Sequence, residues 1–420
     1  MKIGVAGLLI AIICLSPLTI ELATANSECS TDQQFYGSPT NLRGKREGII
    51  SNRHQEHFWI TADGVFHVLI NNGKKQNALQ LFSSIDGIDW FLQITFSNTN
   101  HRSHPDGFLK DDILWIVYPS SDDEIFLYKL SYSFQTKSWW SKTDTVKVYQ
   151  QAGYVPDRPT LALDRWDQTW VAFSELDQKT NQTLIKVIKL AGNMGGLNCC
   201  EVVPTTFSIS TSSIKSARIL ALKDKIVLIY TDKINDGKKN EDYGYSLNWA
   251  YMPLPYLSNS EWITGGELFQ YKSDENDPHG THFNVAKDSF DNIHIVTRAE
   301  KRIIYLSIKN GNSIQIDQAR SITTESSPPY MQISISENNE IYVIYPVRCM
   351  RHEQLNFNVK VLKSYDLGET FQGIAILELD HKSHPGNPRL EAPATFRKKL
   401  PVLWQIREKN SKYEMLFFDI

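Results

Sequence analysis

The sequence predicts an all-β protein, a seven-bladed β-propeller of four-stranded antiparallel blades. Short runs of alternating apolar and polar residues recur from residue 57 to the end, whereas helical periodicity is hard to find. A second observation is that these runs form a repeated unit: a strand, a turn at Asp, Asn or Gly, and a strongly apolar return strand. Seven segments fit this unit: residues 57–70, 105–118, 158–173, 217–230, 282–296, 330–344 and 389–404.

The spacing of the units predicts blades rather than isolated hairpins. The seven units begin between residues 57 and 389, a mean repeat of about 55 residues, near the longer propeller repeats. Second hairpins lie between them, at residues 79–90, 125–139, 303–308 and 358–371. Two hairpins per repeat make a four-stranded blade, and seven such blades arranged radially leave a central channel.

The last repeat is one strand short. It has candidate strands near residues 389–394, 400–405 and 413–418, after which the sequence stops. We expect residues 33–51, which precede the first inner strand, to supply the missing strand and cover an exposed sheet edge. The alternative is a disordered N-terminal arm.

The N-terminal residues have the layout of a secretory signal peptide. Met1 and Lys2 precede an apolar run at residues 3–15, and Ala23-Thr24-Ala25 precedes a cleavage site before Asn26. The sequence therefore predicts a signal peptide over residues 1–25, a single propeller domain over 26–420, and a secreted or periplasmic protein. A retained N-terminal anchor is the alternative. No later segment has the roughly 18 consecutive apolar residues of a membrane span, so none is expected in the mature chain.

Composition excludes some partners and bears on the cysteines. The 420 residues carry a net charge of -3 without a basic block, so nucleic acid is not an expected partner. Cleavage leaves four cysteines in an oxidising compartment, and at least one disulfide that involves Cys199 or Cys200 is expected, with Cys29 and Cys349 as candidate partners. Free buried thiols are the alternative. A monomer without a cofactor is expected.

Two second hairpins carry a resemblance to a known family. Ser364-Tyr-Asp-Leu-Gly-Glu-Thr-Phe371 fits the Asp-box (BNR repeat) of the sialidase-like propellers, and Ser84-Ile-Asp-Gly-Ile-Asp-Trp90 resembles a version one residue shorter. In such a turn the Asp bonds backbone N–H groups, Gly takes a positive φ, and the aromatic residue packs between blades. In character the chain resembles most the secreted seven-bladed polysaccharide lyases, such as ulvan lyases. This resemblance implies a carbohydrate-active propeller.

The histidines cluster where inner strands begin. Eight of the eleven form His-x-x-His pairs: His54/His57, His101/His104, His279/His282 and His381/His384. In a propeller, the loop before an inner strand lies at one mouth of the channel, so these pairs are expected to converge there with nearby Arg and Tyr residues. The structural alternative is that each His bonds a neighbouring blade. A zinc site would need ligands from several blades, so no metal is expected.

These positions give a candidate site for an acidic glycan. The candidate catalytic residues are His104, Tyr154, Arg158 and His282, and the candidate substrate-binding residues are His57, His101, His279, Tyr330 and Arg389. Asp106, Asp157 and Asp277 are the carboxylates nearest the expected mouth. Arg158 is expected to hold a uronate carboxylate as an exposed charge, and a neutral His104 or His282, or else Tyr154, to remove the adjacent proton.

Three functions fit this residue set. The first is a polysaccharide lyase that cleaves a uronate-containing glycan by β-elimination. The second is a sialidase-like glycoside hydrolase, although the chain lacks the Arg-Ile-Pro motif of that family in its first blade, and Arg218-Ile-Leu is only a faint echo of it. The third is a non-catalytic glycan-binding propeller, for which aromatic and polar side chains suffice.

Overall fold

The computed structural model describes residues 38–45, 54–141, 145–191, 201–211, 216–234, 243–257, 260–273, 283–299, 302–310, 314–323, 330–351, 354–378, 389–406 and 410–419. Within these residues every regular element is a strand, and the strands form seven sheets. The sheets follow one another along the chain, and their main strands pair antiparallel. The protein is therefore an all-β seven-bladed propeller, and the predicted fold class is confirmed.

The first strand along the chain, β1 (Ser38–Lys45), belongs to the last blade. Blade 1 contains β2 (Phe58–Ile60), β3 (Phe66–Asn71), β4 (Leu79–Ser84) and β5 (Phe91–Thr95). Blade 2 contains β6 (Asp106–Lys110), β7 (Ile113–Pro119), β8 (Glu124–Ser133), and a fourth strand divided into β9 (Ser138–Trp140) and β10 (Val146–Gln150). Blade 3 contains β11 (Tyr154–Leu163), β12 (Thr169–Asp177), β13 (Thr183–Ala191) and β14 (Glu201–Thr211).

Blades 4 to 7 repeat this order. Blade 4 contains β15 (Ala217–Ala221), β16 (Lys225–Ile234), β17 (Tyr243–Pro253) and β18 (Ile263–Ser273). Blade 5 contains β19 (Phe283–Lys287), β20 (Ile293–Ala299), β21 (Arg302–Asn310), β22 (Ile314–Ile316) and β23 (Arg320–Ser321). Blade 6 contains β24 (Gln332–Ser336), β25 (Ile341–Arg351), β26 (Gln354–Ser364) and β27 (Gln372–Glu378). Blade 7 contains β28 (Arg389–Glu391), β30 (Lys399–Ile406) and β31 (Asn410–Asp419), and the short β29 (Thr395–Phe396) before β30 pairs with β24 of blade 6.

The N-terminal strand completes the last blade, as predicted. β1 pairs antiparallel with β31, so that Ser38 lies opposite Met415 and Lys45 opposite Asn410. Leu42 packs in one apolar cluster with residues of blade 1 and blade 7. The two ends of the described chain therefore share one sheet, which closes the ring without an unpaired edge on β31.

Apolar side chains of adjacent blades form the core. Between blades 3 and 4, Ala162 and Trp170 pack with Ile219 and Leu228, and all four are buried. Comparable clusters occur between the other neighbouring blades. These residues belong mainly to the first three strands of each blade, which explains why the return strands are so strongly apolar in the sequence.

Two outer turns have the hydrogen bonds that their sequences predict. The Asp86 carboxylate accepts the N–H of Ile88 at 2.8 Å, and Gly87 has a φ of 77°. The Asp366 carboxylate accepts the N–H four residues later at 2.9 Å, and Gly368 has a φ of 93°. A side chain that accepts its own turn's N–H groups fixes the hairpin without a partner from elsewhere.

Several predictions fall outside the described residues. They concern the signal peptide, Cys29, Cys199, Cys200 and the side chain of Cys349. Among the described residues, no helix is long and apolar enough to cross a membrane.

Candidate functional site

Side chains of the inner strands bond each blade to the next around the channel. The N–H of Leu161 donates to Asp106 at 2.8 Å, and the N–H of Ile219 donates to Thr160 at 3.2 Å. The same contact recurs farther around the ring, where Asn284 accepts from blade 6 at 2.9 Å and Glu391 accepts from blade 1 at 3.2 Å. In these four places, the backbone at the start of a blade is therefore held by a polar side chain of the preceding blade.

Residues 54–57, which precede β2, reach other blades across the channel. We name them the axial segment. The Gln55 side-chain amide donates to the carbonyl oxygen of Pro159 in blade 3 at 2.8 Å and to that of His104, before blade 2, at 3.2 Å. The His54 ring stacks on Phe283 of blade 5, with 5.5 Å between ring centroids. The axial segment therefore fixes the backbone on which two candidate site residues lie.

Arg218 joins the axial segment to blades 2 and 4 through two carboxylates. Its guanidinium donates to Asp106 at 2.7 Å and to Glu56 at 2.6 Å. Desolvation by burial raises the pKa of the Glu56 carboxyl to about 7, although the positive charge of Arg218 opposes the shift. Because Arg218 is 2% and Asp106 0% exposed, this cluster is a buried brace behind the mouth and not a surface for a polymer.

His57 belongs to the same brace. Its ring nitrogen Nδ1 lies 3.2 Å from the Glu391 carboxylate, and both side chains are 2% exposed. Desolvation lowers the pKa of His57, but the charge of Glu391 and its hydrogen bond raise the pKa by more. The net shift is therefore upward. His57, a candidate substrate-binding residue, is thus already bonded within the protein.

The structure brings His104, Asp157 and Arg158 together at a place that solvent reaches. His104 Nδ1 lies 3.2 Å from one Asp157 oxygen, and Arg158 Nε lies 3.3 Å from the other. The side chains of His104, Asp157 and Arg158 are 19%, 34% and 14% exposed. Because a carboxylate only accepts hydrogen bonds, Nδ1 is the donor in this contact and Asp157 orients the imidazole ring.

Asp157 carries a full negative charge at neutral pH. Desolvation by itself raises the pKa of this carboxyl. The hydrogen bond from His104 and the charge of Arg158 outweigh desolvation and lower the pKa to about 2. An oriented imidazole beside an ionised carboxylate is the arrangement that general bases use in enzymes.

Arg158 lies inside a strand, at a break in its pairing. The prediction that it begins an inner strand as an exposed charge is wrong, because β11 begins four residues earlier at Tyr154. The register between β11 and β12 shifts between Asp157 and Thr160, and Arg158 has a φ of 49°. The guanidinium Nη1 is buried and has no hydrogen-bond acceptor, while Nε lies beside Asp157. A bulge with left-handed backbone and a buried, incompletely bonded guanidinium is typical of functional sites.

Tyr154 lies at the mouth end of the same strand beside a second charged group. The Lys186 ammonium lies 5.2 Å from the centre of the Tyr154 ring and pairs with Glu175, which is fully buried. The Tyr149 hydroxyl also donates to Glu175, and burial, followed by this bond, raises the pKa of Tyr149. Sequence patterns did not single out Lys186 or Glu175, since each is one polar residue within an apolar strand.

Three further candidate residues lie in the described part of the chain. The Arg389 guanidinium lies 5.7 Å from the centre of the Tyr330 ring, so these two residues meet where blades 6 and 7 begin. His101 is exposed in the loop before blade 2. His279, His282 and Asp277 lie outside the described residues, as does the pair His381/His384. Within the described part of the chain, no three His, Cys, Asp or Glu side chains are grouped as metal ligands.

Sequence reasoning also missed Glu56 and Glu391. Each lies beside a residue that the histidine and arginine pattern did mark, Glu56 within the His54/His57 pair and Glu391 two residues after Arg389. Acidic residues at the start of two inner strands were the available signal. Both carboxylates prove to be bonded within the protein, Glu56 to Arg218 and Glu391 to His57.

No family model and no curated protein matches the sequence. Solved structures resemble the chain to different degrees. A protein described as an ulvan lyase of a new polysaccharide lyase family is 11% identical over 92% of this chain and 96% of its own, with a TM-score of 0.53. The six-bladed fucose-binding lectin of Aleuria aurantia is 11% identical over 80% of this chain and 99% of its own, with a TM-score of 0.45. A protein of unknown function from Dyadobacter fermentans is 10% identical over 92% and 99%, with a TM-score of 0.43. At 11% identity, the likeness to the first of these structures shows the fold alone.

Proposed function

We propose that the protein is a polysaccharide lyase that cleaves a uronate-containing glycan by β-elimination. The observation that carries the proposal is the contact of His104 and Arg158 with the two oxygens of one carboxylate, Asp157. This contact supports a role for His104 as the base and for Arg158 as the neighbouring cation. A lyase needs both, one for the proton beside the uronate carboxylate and one for the charge that develops there.

In the proposed step, Arg158 binds the uronate carboxylate. Its side chain is 14% exposed beside Asp157, and a guanidinium fork matches a carboxylate with two parallel hydrogen bonds. Charge withdrawn from the carboxylate makes the hydrogen on the adjacent carbon, C5, more acidic. Arg158 therefore stabilises the enolate that forms when that proton leaves.

His104 removes the C5 proton through Nε2. The C5–H electron pair then forms the C4–C5 double bond, the C4–O bond breaks, and its electrons stay on the leaving glycosidic oxygen. Tyr154 donates a proton to that oxygen. The reaction needs no other reactant, and its products are an unsaturated uronate and a shortened chain.

Two further observations support this function. The site is built from side chains 14% to 34% exposed, so that a polymer reaches them at an open mouth without threading. A protein described as an ulvan lyase shares the fold with a TM-score of 0.53. The net charge of -3 does not by itself attract an anionic polymer, so local cations such as Arg158, Lys186 and Arg389 are proposed to bind it.

The test is a screen of the purified protein against acidic polysaccharides, read by the ultraviolet absorbance of the unsaturated product. We expect absorbance to rise with at least one uronate polymer, and the Arg158→Lys variant to lose about tenfold or more because a point charge cannot replace the guanidinium fork. Arg102→Gln, which changes an exposed arginine in the same loop as His104, is the control and should match the wild type. New reducing ends without absorbance would instead establish a hydrolase, and binding without any product a lectin.

A further inference from the structure

A cavity opens between the outer parts of blades 5 and 6, and none of its lining residues belongs to the candidate site. We name it the rim cavity. One wall is the end of blade 5, at β23, and the other is the outer turn of blade 6 that precedes β27. Its volume is about 280 Å³, close to the lower limit for small-molecule sites, roughly 300 Å³. The residues that line it are Arg320, Ser321, Ile322, Thr323, Glu369 and Phe371.

The rim cavity has an aromatic wall. Phe371 is half-buried, and its ring packs against Tyr305 with 4.9 Å between the ring centroids. Because Tyr305 is itself fully buried in blade 5, this contact holds the Phe371 ring in place. A fixed aromatic ring gives the C–H face of a sugar a surface on which to pack.

Arg320 brings more hydrogen-bond donors to the rim cavity than the protein uses. Its Nη2 atom donates to the carbonyl oxygen of Glu369 at 3.0 Å, and this is the single hydrogen bond of the guanidinium among the described residues. The guanidinium also lies 5.1 Å from the centre of the Tyr305 ring, a cation–π contact that limits its movement. A guanidinium has five N–H donors, so Arg320 has donors left for a ligand.

The charges around the rim cavity are balanced. The Glu369 carboxylate accepts from Lys309 at 2.9 Å, and Lys309 also pairs with Asp317 at 3.2 Å. The two cations Arg320 and Lys309 are therefore matched by the two anions Glu369 and Asp317. An anionic ligand would be repelled by Glu369 and a cationic one by Arg320. This arrangement favours an uncharged ligand that both donates and accepts hydrogen bonds.

We propose that the rim cavity binds an uncharged sugar residue, as a glycan site separate from the channel mouth. A hydroxyl group both donates and accepts, so neighbouring hydroxyls of a sugar bond the donor-only Arg320 and the acceptor-only Glu369, while the apolar face of the ring packs on Phe371. The Ser321 hydroxyl donates to the Thr323 carbonyl oxygen at 2.8 Å, and its own oxygen is left to accept from the sugar. Binding here uses no residue of the proposed cleavage. For the proposed lyase, a second site raises the local concentration of the polymer at the mouth.

The test is saturation-transfer NMR of the full chain with methyl glycosides of glucose, galactose, mannose, xylose, rhamnose and glucuronic acid. We expect at least one of the neutral glycosides to bind with a Kd of about 1 mM, the order for a single shallow site. Arg320→Gln should weaken binding by about tenfold because the guanidinium fork is lost, and Ser321→Trp should abolish it by filling the cavity. Arg302→Gln, at an exposed arginine of the same blade, is the control and should bind like the wild type. Arg158→Lys, which alters the mouth, should also retain this binding.

Three results would overturn the proposal. Absence of binding by every neutral glycoside, at up to about ten times the expected Kd, would show that the cavity takes no sugar. Binding that survives Arg320→Gln and Ser321→Trp but is lost in Arg158→Lys would place the sugar at the mouth. Methyl glucuronide bound by Arg158→Lys more tightly than any neutral glycoside, and lost on adding Arg320→Gln, would show that the cavity takes anions. Thermal melting establishes that each variant is folded, and Ser321→Trp changes an exposed residue, so it serves even where Arg320→Gln disturbs the contact with Glu369.

Discussion

Asp157 is the residue on which the candidate site depends, because its two oxygens meet His104 and Arg158. With a pKa of about 2, it remains ionised through any ordinary assay range. Titration of Asp157 therefore cannot cause a loss of turnover near neutral pH. Its role is to orient the imidazole and to hold the guanidinium.

Separate substitutions of His104 and Asp157 distinguish the proposed base from the residue that orients it. His104→Gln should lower turnover by about 10²- to 10⁴-fold, the usual contribution of a general base. Asp157→Asn keeps an acceptor for Nδ1 and should cost less, because the imidazole stays oriented. Initial rates of absorbance change measure both variants. Equal losses in the two variants would contradict these roles.

Glu56 predicts a pH dependence of stability. Its folded pKa of about 7 lies above the ordinary value of 4.5. Between those values the folded state keeps a proton that the unfolded state releases, so the stability falls as pH rises through this window. Across this window the free energy of unfolding of the wild type should fall by about 2 kcal/mol, which is the energy of a pKa shift of this size after allowance for relaxation. Glu56→Gln should abolish that fall. Urea unfolding at pH 5 and pH 8 measures it. A variant with the same pH dependence as the wild type would refute the assignment.

At the scale of elements, the bulge of β11 and the axial segment position the site. The bulge turns Arg158 out of the alternation of its strand, and Gln55 bonds the backbone on both sides of the site, at His104 and Pro159. The alternation of side chains along a strand predicts which residues face the channel, but only where the strand is regular. For this reason the sequence located Arg158 within the site but assigned it the wrong exposure.

A glycine pair tests how tightly the outer turns pack. Gly87 and Gly64 have φ values of 77° and 83°, so alanine is strained at both, by about 1 kcal/mol. At Gly87 the added Cβ would also lie 2.8 Å from the Phe417 ring, whereas nothing lies within 4 Å at Gly64. Gly87→Ala should therefore lower the free energy of unfolding by about 2 to 3 kcal/mol, more than Gly64→Ala. Urea denaturation of both variants checks this, and equal losses would mean that blade 7 does not pack there.

At the scale of the whole molecule, the repeat of apolar return strands predicted seven blades, and the missing last strand predicted closure by the N-terminus. Both are confirmed, because each repeat buries the same kind of surface against its neighbour. The contacts across the channel could not be predicted from the sequence. Residues 54 and 283 meet only because radial packing brings them together, and nothing in either local sequence specifies the partner.

Closure by β1 predicts that a buried residue of this strand stabilises the whole ring. Leu42→Ala should lower the free energy of unfolding by about 3 kcal/mol, as for a leucine removed from a packed core. The transition should remain single. Leu257→Ala, at a leucine 58% exposed, is the control and should change stability by less than about 0.5 kcal/mol. A Leu42→Ala protein as stable as the wild type would mean that β1 does not hold the ring closed.

The central claim is that the channel mouth binds a uronate through Arg158 and places its C5 hydrogen at His104. A crystal structure of the His104→Gln variant with a bound uronate oligosaccharide tests it most directly. We expect the carboxylate within hydrogen-bond distance, about 2.7 to 2.9 Å, of the Arg158 guanidinium, with C5 facing residue 104. A glycan bound with its carboxylate away from Arg158, or bound at another part of the propeller, would contradict the claim.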